Sequence, residues 1–111
     1  MKRSAVRRLY DLEYLPSARG DLVKIIRYIA HNLDNEDAAR RLAEKFDEAV
    51  KILTKFPYSC PVYYPIRSLR YEYRKLVVGK YLMFYWVTEE TKTVTVACVV
   101  YSGSDYEKRL R

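Results

Sequence analysis

The residues with the most chemistry in this sequence lie in one short run, Arg70-Tyr71-Glu72-Tyr73-Arg74-Lys75. In an extended chain successive side chains alternate between faces, so Arg70, Glu72 and Arg74 share one face and Tyr71, Tyr73 and Lys75 the other. If the tyrosines turn to a core, Arg70 and Arg74 present cations outward, and Arg67 and Lys80 extend that patch. A guanidinium fork holds two phosphate oxygens at once, and a nearby tyrosine ring can stack on an unpaired base. The bland alternative is a solvated strand face over core tyrosines. It accounts for any single residue more easily than for the group, because Glu72 is the only acid across residues 57–88.

Other chemistries lack their residues. There is no GxSxG, no HExxH, no phosphate-cradling glycine loop and no usefully spaced carboxylate pair. Only 3 glycines occur, too few to suggest a nucleotide-binding fold. His31 is the only histidine, near the end of a predicted helix where a cation is favoured, and it reads as a surface or capping residue. Trp86 stands among Phe84, Tyr85 and Val87 and reads as a core or interface anchor. Cys60 and Cys98 are far apart, without CxxC spacing, and read as free thiols. No ligand cluster suggests zinc, so no metal and no cofactor is implied. The remaining candidate is the segment Tyr101-Ser102-Gly103-Ser104-Asp105-Tyr106.

The 111 residues suit a single domain spanning 1–111, and half of them are apolar, enough for a core. The net charge is +7. Lys2, Arg3, Arg7 and Arg8 open the chain, and Lys108, Arg109 and Arg111 close it. Such a basic excess suits a polyanion or an acidic protein as partner, or simply a soluble basic protein. No run is apolar enough to span a membrane. Asp11 and Glu13 interrupt any apolar stretch behind the basic start, so no signal peptide is expected and the cytoplasm is the default location.

These residues need elements to hold them. Tyr10, Leu12 and Tyr14 alternate with Asp11 and Glu13, the pattern of a half-buried strand from about Leu9. Extended backward, the register reaches Val6 and Arg8. Pro16 ends it, and Ser17 can cap a helix whose apolar face is Leu22, Ile25, Ile26, Ile29 and Leu33, with Asp21 near its positive end. The run His31–Asn35 breaks that helix, and Asp34 or Asn35 can cap a second. The second helix carries Ala39, Leu42, Phe46, Ala49, Leu53 and Phe56 on one face and stops at Pro57. An ordered connector follows, then strand-like runs Arg70–Val78, Tyr81–Val87 and Thr93–Tyr101, separated by hairpin-length links. The expected class is α+β: an N-terminal strand, a two-helix hairpin, and a three-stranded antiparallel meander that the first strand joins as an edge or partner.

That order of features resembles the RelE/ParE toxins of bacterial type II toxin–antitoxin modules. The hairpin closes on Leu53-Thr54-Lys55-Phe56-Pro57-Tyr58. A basic strand is followed by the aromatic Gly79-Lys80-Tyr81-Leu82-Met83-Phe84-Tyr85-Trp86-Val87, a β-branched strand, and a terminal Tyr-x-Gly-x-Asp-Tyr. The likeness runs from about Tyr10 to Leu110. It implies a cognate antitoxin covering basic and apolar surfaces, in a hetero-oligomer. It also implies one of two activities: RelE-like members cleave mRNA in the ribosomal A site, whereas ParE-like members poison DNA gyrase and are not enzymes. A member that only binds its antitoxin is a third case.

RelE-like cleavage sends a ribose 2′-hydroxyl against the adjacent phosphate. It needs a proton acceptor, cations at the pentavalent transition state and a proton for the leaving oxygen. Carried over by position, Arg74, Lys75 and Tyr106 would be catalytic, with Arg67, Arg70 and Lys80 contacting nucleic acid. Two positions depart from the pattern. Leu82 stands where RelE-like enzymes have an arginine, and Tyr101, Ser102 or Ser104 stands where they have another. The expectation leans to ribosome-dependent mRNA cleavage, a metal-independent endoribonuclease with ribosome and mRNA as partners. Gyrase inhibition is the alternative.

Overall fold

Period-two and period-3.6 patterns become strands and helices at nearly the positions they mark. The computed structural model describes residues 9–65 and 67–111. The basic start with Lys2, Arg3, Arg7 and Arg8, and the register through Val6, lie outside the described residues. The elements are β1 (Asp11–Tyr14), α1 (Pro16–Arg27), α2 (Glu36–Lys55), β2 (Arg74–Val78), β3 (Tyr81–Thr88) and β4 (Thr93–Tyr101), with a short 3₁₀ turn at Glu107–Arg109.

α1 starts two residues earlier than a Ser17 cap suggests. Pro16 occupies its first turn, where the missing N–H costs nothing. Leu15 is therefore the cap position and gives no side-chain hydrogen bond. Ser17 lies inside the helix, and its hydroxyl donates instead to Ala97 O at 2.9 Å. Asp21 likewise leaves the helix end. Its carboxylate accepts from Val99 N at 2.9 Å and from Arg109 at 2.8 Å. α1 runs out through a wide π-helical turn, Tyr28–Asn32, in which Leu33 N donates to Tyr28 O. Asp34 then takes φ 49°, a left-handed conformation that aspartate tolerates. Of the two candidate caps, Asn35 serves: its Oδ1 accepts from Ala38 N at 3.0 Å.

The sheet order is β1-β4-β3-β2. β2, β3 and β4 form the antiparallel meander, and β1 joins the outer edge of β4 in parallel. The sheet is therefore mixed. The meander's first strand begins at Arg74, not Arg70. Residues 61–63 take the edge beside its start, with Tyr63 N donating to Tyr73 O and Lys75 N to Pro61 O. That leaves Tyr71 and Tyr73 free to turn into aromatic contacts.

β4 reverses its facing at one point. Ala97 is an extra residue between the pairs Phe84–Cys98 and Tyr85–Val96. Before it, Val94 and Val96 face the helices. After it, Val99 does. Ala97, Cys98 and Val100 face the other way, into a second apolar cluster. The bulge is gripped by the start of α1, through Leu15 N to Val96 O and Ser17 to Ala97 O.

Two cores result. The helix-side core joins Ala18, Phe46, Val50 and Leu53 to Val78, Met83, Tyr85, Val94, Val96 and Val99. On the far face Leu82, Phe84, Cys98 and Val100 are covered by Tyr63, Leu69 and Tyr73 of the connector and by Tyr106 and Leu110. Leu110 is only 1% exposed. Burial pushes the Cys98 thiol up to about 11, so it behaves as a small hydrophobe. At the apolar margins the helix periodicity overshoots, since Leu33 and Phe56 are exposed.

The β3–β4 turn is fastened by one carboxylate. Glu89 accepts hydrogen bonds from Lys92, Tyr58 and Tyr10, joining the turn to the connector and to the residue before β1. Those bonds, from Lys92 first, hold its carboxyl down to about 2, and the bond to Glu89 pushes Tyr58 up to about 12. A lowered carboxyl contributes stability above its ordinary value of 4.5 and loses it as pH falls through about 2. The tyrosine's share is complete below 10 and is lost as pH rises through about 12. Glu89→Gln is therefore expected to lower the urea midpoint at neutral pH, by an amount that shrinks steadily under acid. A gap independent of pH would show that the charge on Glu89 does not matter.

Candidate functional site

The residues marked by the sequence do not all meet. Lys75 pairs with Phe84 on the far face of the sheet. The Tyr106 ring lies 5.3 Å from Phe84 and 6.2 Å from Tyr63, so Lys75 and Tyr106 flank one aromatic floor. Arg74 projects to the opposite face, on the side of Leu76 and Val78. Its guanidinium donates to Cys60 O at 2.7 Å and to Tyr58 O at 3.3 Å, and it sits 5.0 Å from the Tyr58 ring centroid. Glu72 adds a carboxylate at 3.9 Å. With 16% of its side chain exposed, Arg74 ties the connector to β2.

Arg67 is also engaged. It donates to the carbonyls of Glu107 and Leu110, with Glu107 Oε1 at 4.0 Å. It thereby fastens the terminal segment over the far face. Arg70 N adds a bond to Arg111 O, and Arg109 reaches back to Asp21. That carboxylate keeps the Arg109 guanidinium charged more firmly than usual. Tyr63 donates to Glu107 at 3.2 Å, and burial together with that bond raises its phenol. Arg70 and Lys80 are exposed, the first in the connector and the second in the two-residue turn Gly79–Lys80, where Gly79 takes φ 59°.

The floor between Lys75 and Tyr106 is apolar. Leu82 is 6% exposed and Phe84 0%, with Leu110 packed in the same cluster. The geometry offers an aromatic and aliphatic surface with a lysine and a tyrosine beside it. It does not offer a ring of cations around one phosphate. Among the described residues no group of His, Cys, Asp or Glu side chains is arranged to hold a metal ion, and no helix is long and apolar enough to cross a membrane.

Sequence reasoning missed the terminal ties and the pairing of Tyr71 with Trp86, whose rings stack at 3.7 Å. The bases Lys108, Arg109 and Arg111 were visible as charge, but nothing in their spacing named Asp21 or the connector as their neighbours.

Residues 12–106 match the family described as ParE toxin of type II toxin–antitoxin system, parDE. No curated protein sequence matches the chain. Among solved structures, a chain of the chromosomal ParDE system from P. aeruginosa superposes with TM-score 0.67 at 15% identity, covering 86% of this chain and 98% of that one. A chain of the RelBE2 toxin–antitoxin complex from Mycobacterium tuberculosis gives 0.56 at 22%, covering 84% and 98%. One from the archaeal RelE–RelB complex of Pyrococcus horikoshii OT3 gives 0.57 at 16%, covering 85% and 96%. These likenesses establish the fold.

Arg74 and Arg70 make a testable contrast. Arg74→Ala leaves two carbonyls without their donor and is expected to cost about 1–3 kcal/mol in urea unfolding. Arg70→Ala, at an exposed position, should stay within about 0.5 kcal/mol of the parent. Equal effects would mean that Arg74 does not anchor the connector.

Proposed function

The chain belongs to the ParE toxin family of type II toxin–antitoxin systems, and from that footing we propose that it acts by binding DNA gyrase and does not cleave RNA. The observation that carries this reading is the far face itself. Arg74 is turned away and held by backbone carbonyls, while Leu82 and Leu110 fill the space beside Lys75 and Tyr106 with hydrocarbon. In-line attack on a phosphate develops negative charge that must be met by preorganised donors. A lone lysine over an apolar floor meets it poorly. A binding module has no such requirement, and buried aromatic anchors with a basic rim suit it.

The same reading gives the toxin a cognate antitoxin, as the solved relatives occur in toxin–antitoxin complexes. Its seat would be the outer side of α1. There Leu22, Val23, Ile26 and Ala30 border an open apolar hollow of about 430 Å³, with Arg27 and His31 at its edge and Val23 50% exposed. An amphipathic segment with acidic flanks fits that chemistry.

Purified toxin added to a gyrase reaction should trap gyrase–DNA cleavage complexes, while mRNA in a cell-free translation system stays intact. Tyr106→Phe should remain fully toxic. Ribosome-dependent mRNA cleavage, abolished by Tyr106→Phe and with gyrase unaffected, would overturn the proposal in favour of RelE-type catalysis.

A further inference from the structure

Two residues along β3 from Phe84, the far face carries a feature that gyrase binding does not require. Trp86 lies flat against Tyr71, with ring centroids 3.7 Å apart and planes within 2°. Tyr73 meets the indole edge-on at 5.8 Å and fixes its tilt. The stacked pair lines two hollows, of about 590 and 350 Å³. The larger is bordered by Arg70, Lys108, Arg109 and Arg111, with Ser17 at the start of α1 and no acidic side chain in its lining. The charges there are only partly met. Arg109 pairs with Asp21 at 2.8 Å and Lys108 approaches Asp105 at 3.9 Å, while Arg70 and Arg111 have no ion pair among the described residues. α1 also opens here with no acid in its first turn and no side-chain cap, so the positive end of its dipole is not offset by a carboxylate of its own. The smaller hollow differs, because Glu72 and Glu90 join Arg70 and Arg74 in it.

We propose that this corner binds a phosphorylated nucleoside, free or as one unit of a single strand. The base extends the Trp86–Tyr71 stack, and the phosphate sits in the larger hollow against Arg70 and Arg111. Stacking on aromatic rings and charge-assisted bonds to guanidinium groups are the two interactions such a ligand uses. An acidic peptide would satisfy the cations but leave the flat aromatic pair without a matching surface. The site does not depend on whether gyrase or the ribosome is the toxin's target.

Trp86 is the only tryptophan, so its emission reports on this corner directly. The full chain is titrated with adenosine 5′-monophosphate, with adenosine, with inorganic phosphate, and with a short 5′-phosphorylated oligoadenylate. Saturable quenching is expected from the nucleotide and the oligomer, with adenosine and phosphate each about tenfold weaker or more. Arg70→Gln and Tyr71→Ala, with folding checked by circular dichroism, should each weaken nucleotide binding about tenfold. Tighter binding of the oligomer than of the nucleotide assigns the site to a strand, and equal binding to the free nucleotide. Three results would overturn the proposal: no saturable change with nucleotide or oligomer, phosphate alone binding as well as nucleotide, or both variants binding like the parent.

Discussion

β3 and β4 are apolar on both sides, and the rest of the molecule is arranged around that fact. Met83, Tyr85, Val94 and Val96 need cover on one face, and Leu82, Phe84, Cys98 and Val100 on the other. The α1–α2 hairpin can lie on only one of them. The connector and the terminal segment must therefore fold over the second, although neither has a regular element long enough to do so by itself. Polar ties make up the difference: Arg67 to the carbonyls of Glu107 and Leu110, Arg109 to Asp21, Arg74 to Tyr58 and Cys60. Each satisfies backbone or carboxylate groups that would otherwise sit poorly solvated beside a core. Basic residues thus serve first as fasteners of irregular chain.

That double use explains which parts of the protein could be read from its sequence. The hairpin was legible because Leu22, Ile25, Phe46 and Leu53 keep helical spacing over many turns. β4 was legible from its β-branched run, and its boundaries hold at Thr93 and Tyr101. Its facing was not, since alternation places Cys98 and Val100 with Val96, and only the extra residue at Ala97 separates them. The strand start at Arg70 failed for a related reason: local alternation continues through Tyr71 and Tyr73, but Arg70 N bonds to Arg111 O and Tyr73 O accepts from Tyr63 N, so neither pairs with β3. Helix capping by Ser17 yielded to Pro16, whose ring already fixes the first turn.

The candidate site was legible only in composition. Arg67, Arg70, Arg74, Lys75 and Lys80 form a cationic set in one dimension, and in three they disperse to two faces, a turn and a strap. Sequence carries charge but not direction, and direction decides whether a guanidinium meets a ligand or a carbonyl. Leu82 was the better guide, because a leucine there predicts a hydrocarbon neighbour. Leu110 lies in the same buried cluster.

The bulge at Ala97 sets a schedule as well as a shape. Its grip comes from Leu15, Ser17 and Asp21, and the Ser17 bond spans 80 residues of sequence. A growing chain emits these three long before the strand they hold. At roughly 5–20 residues per second, the hairpin waits several seconds with its apolar stripe uncovered. Nothing in α1 or α2 alone can close that interval, because β1 has no partner strand until β4 exists. The nascent chain consequently passes through a stage in which the apolar face of its helical hairpin is open to whatever else the cell has to offer it.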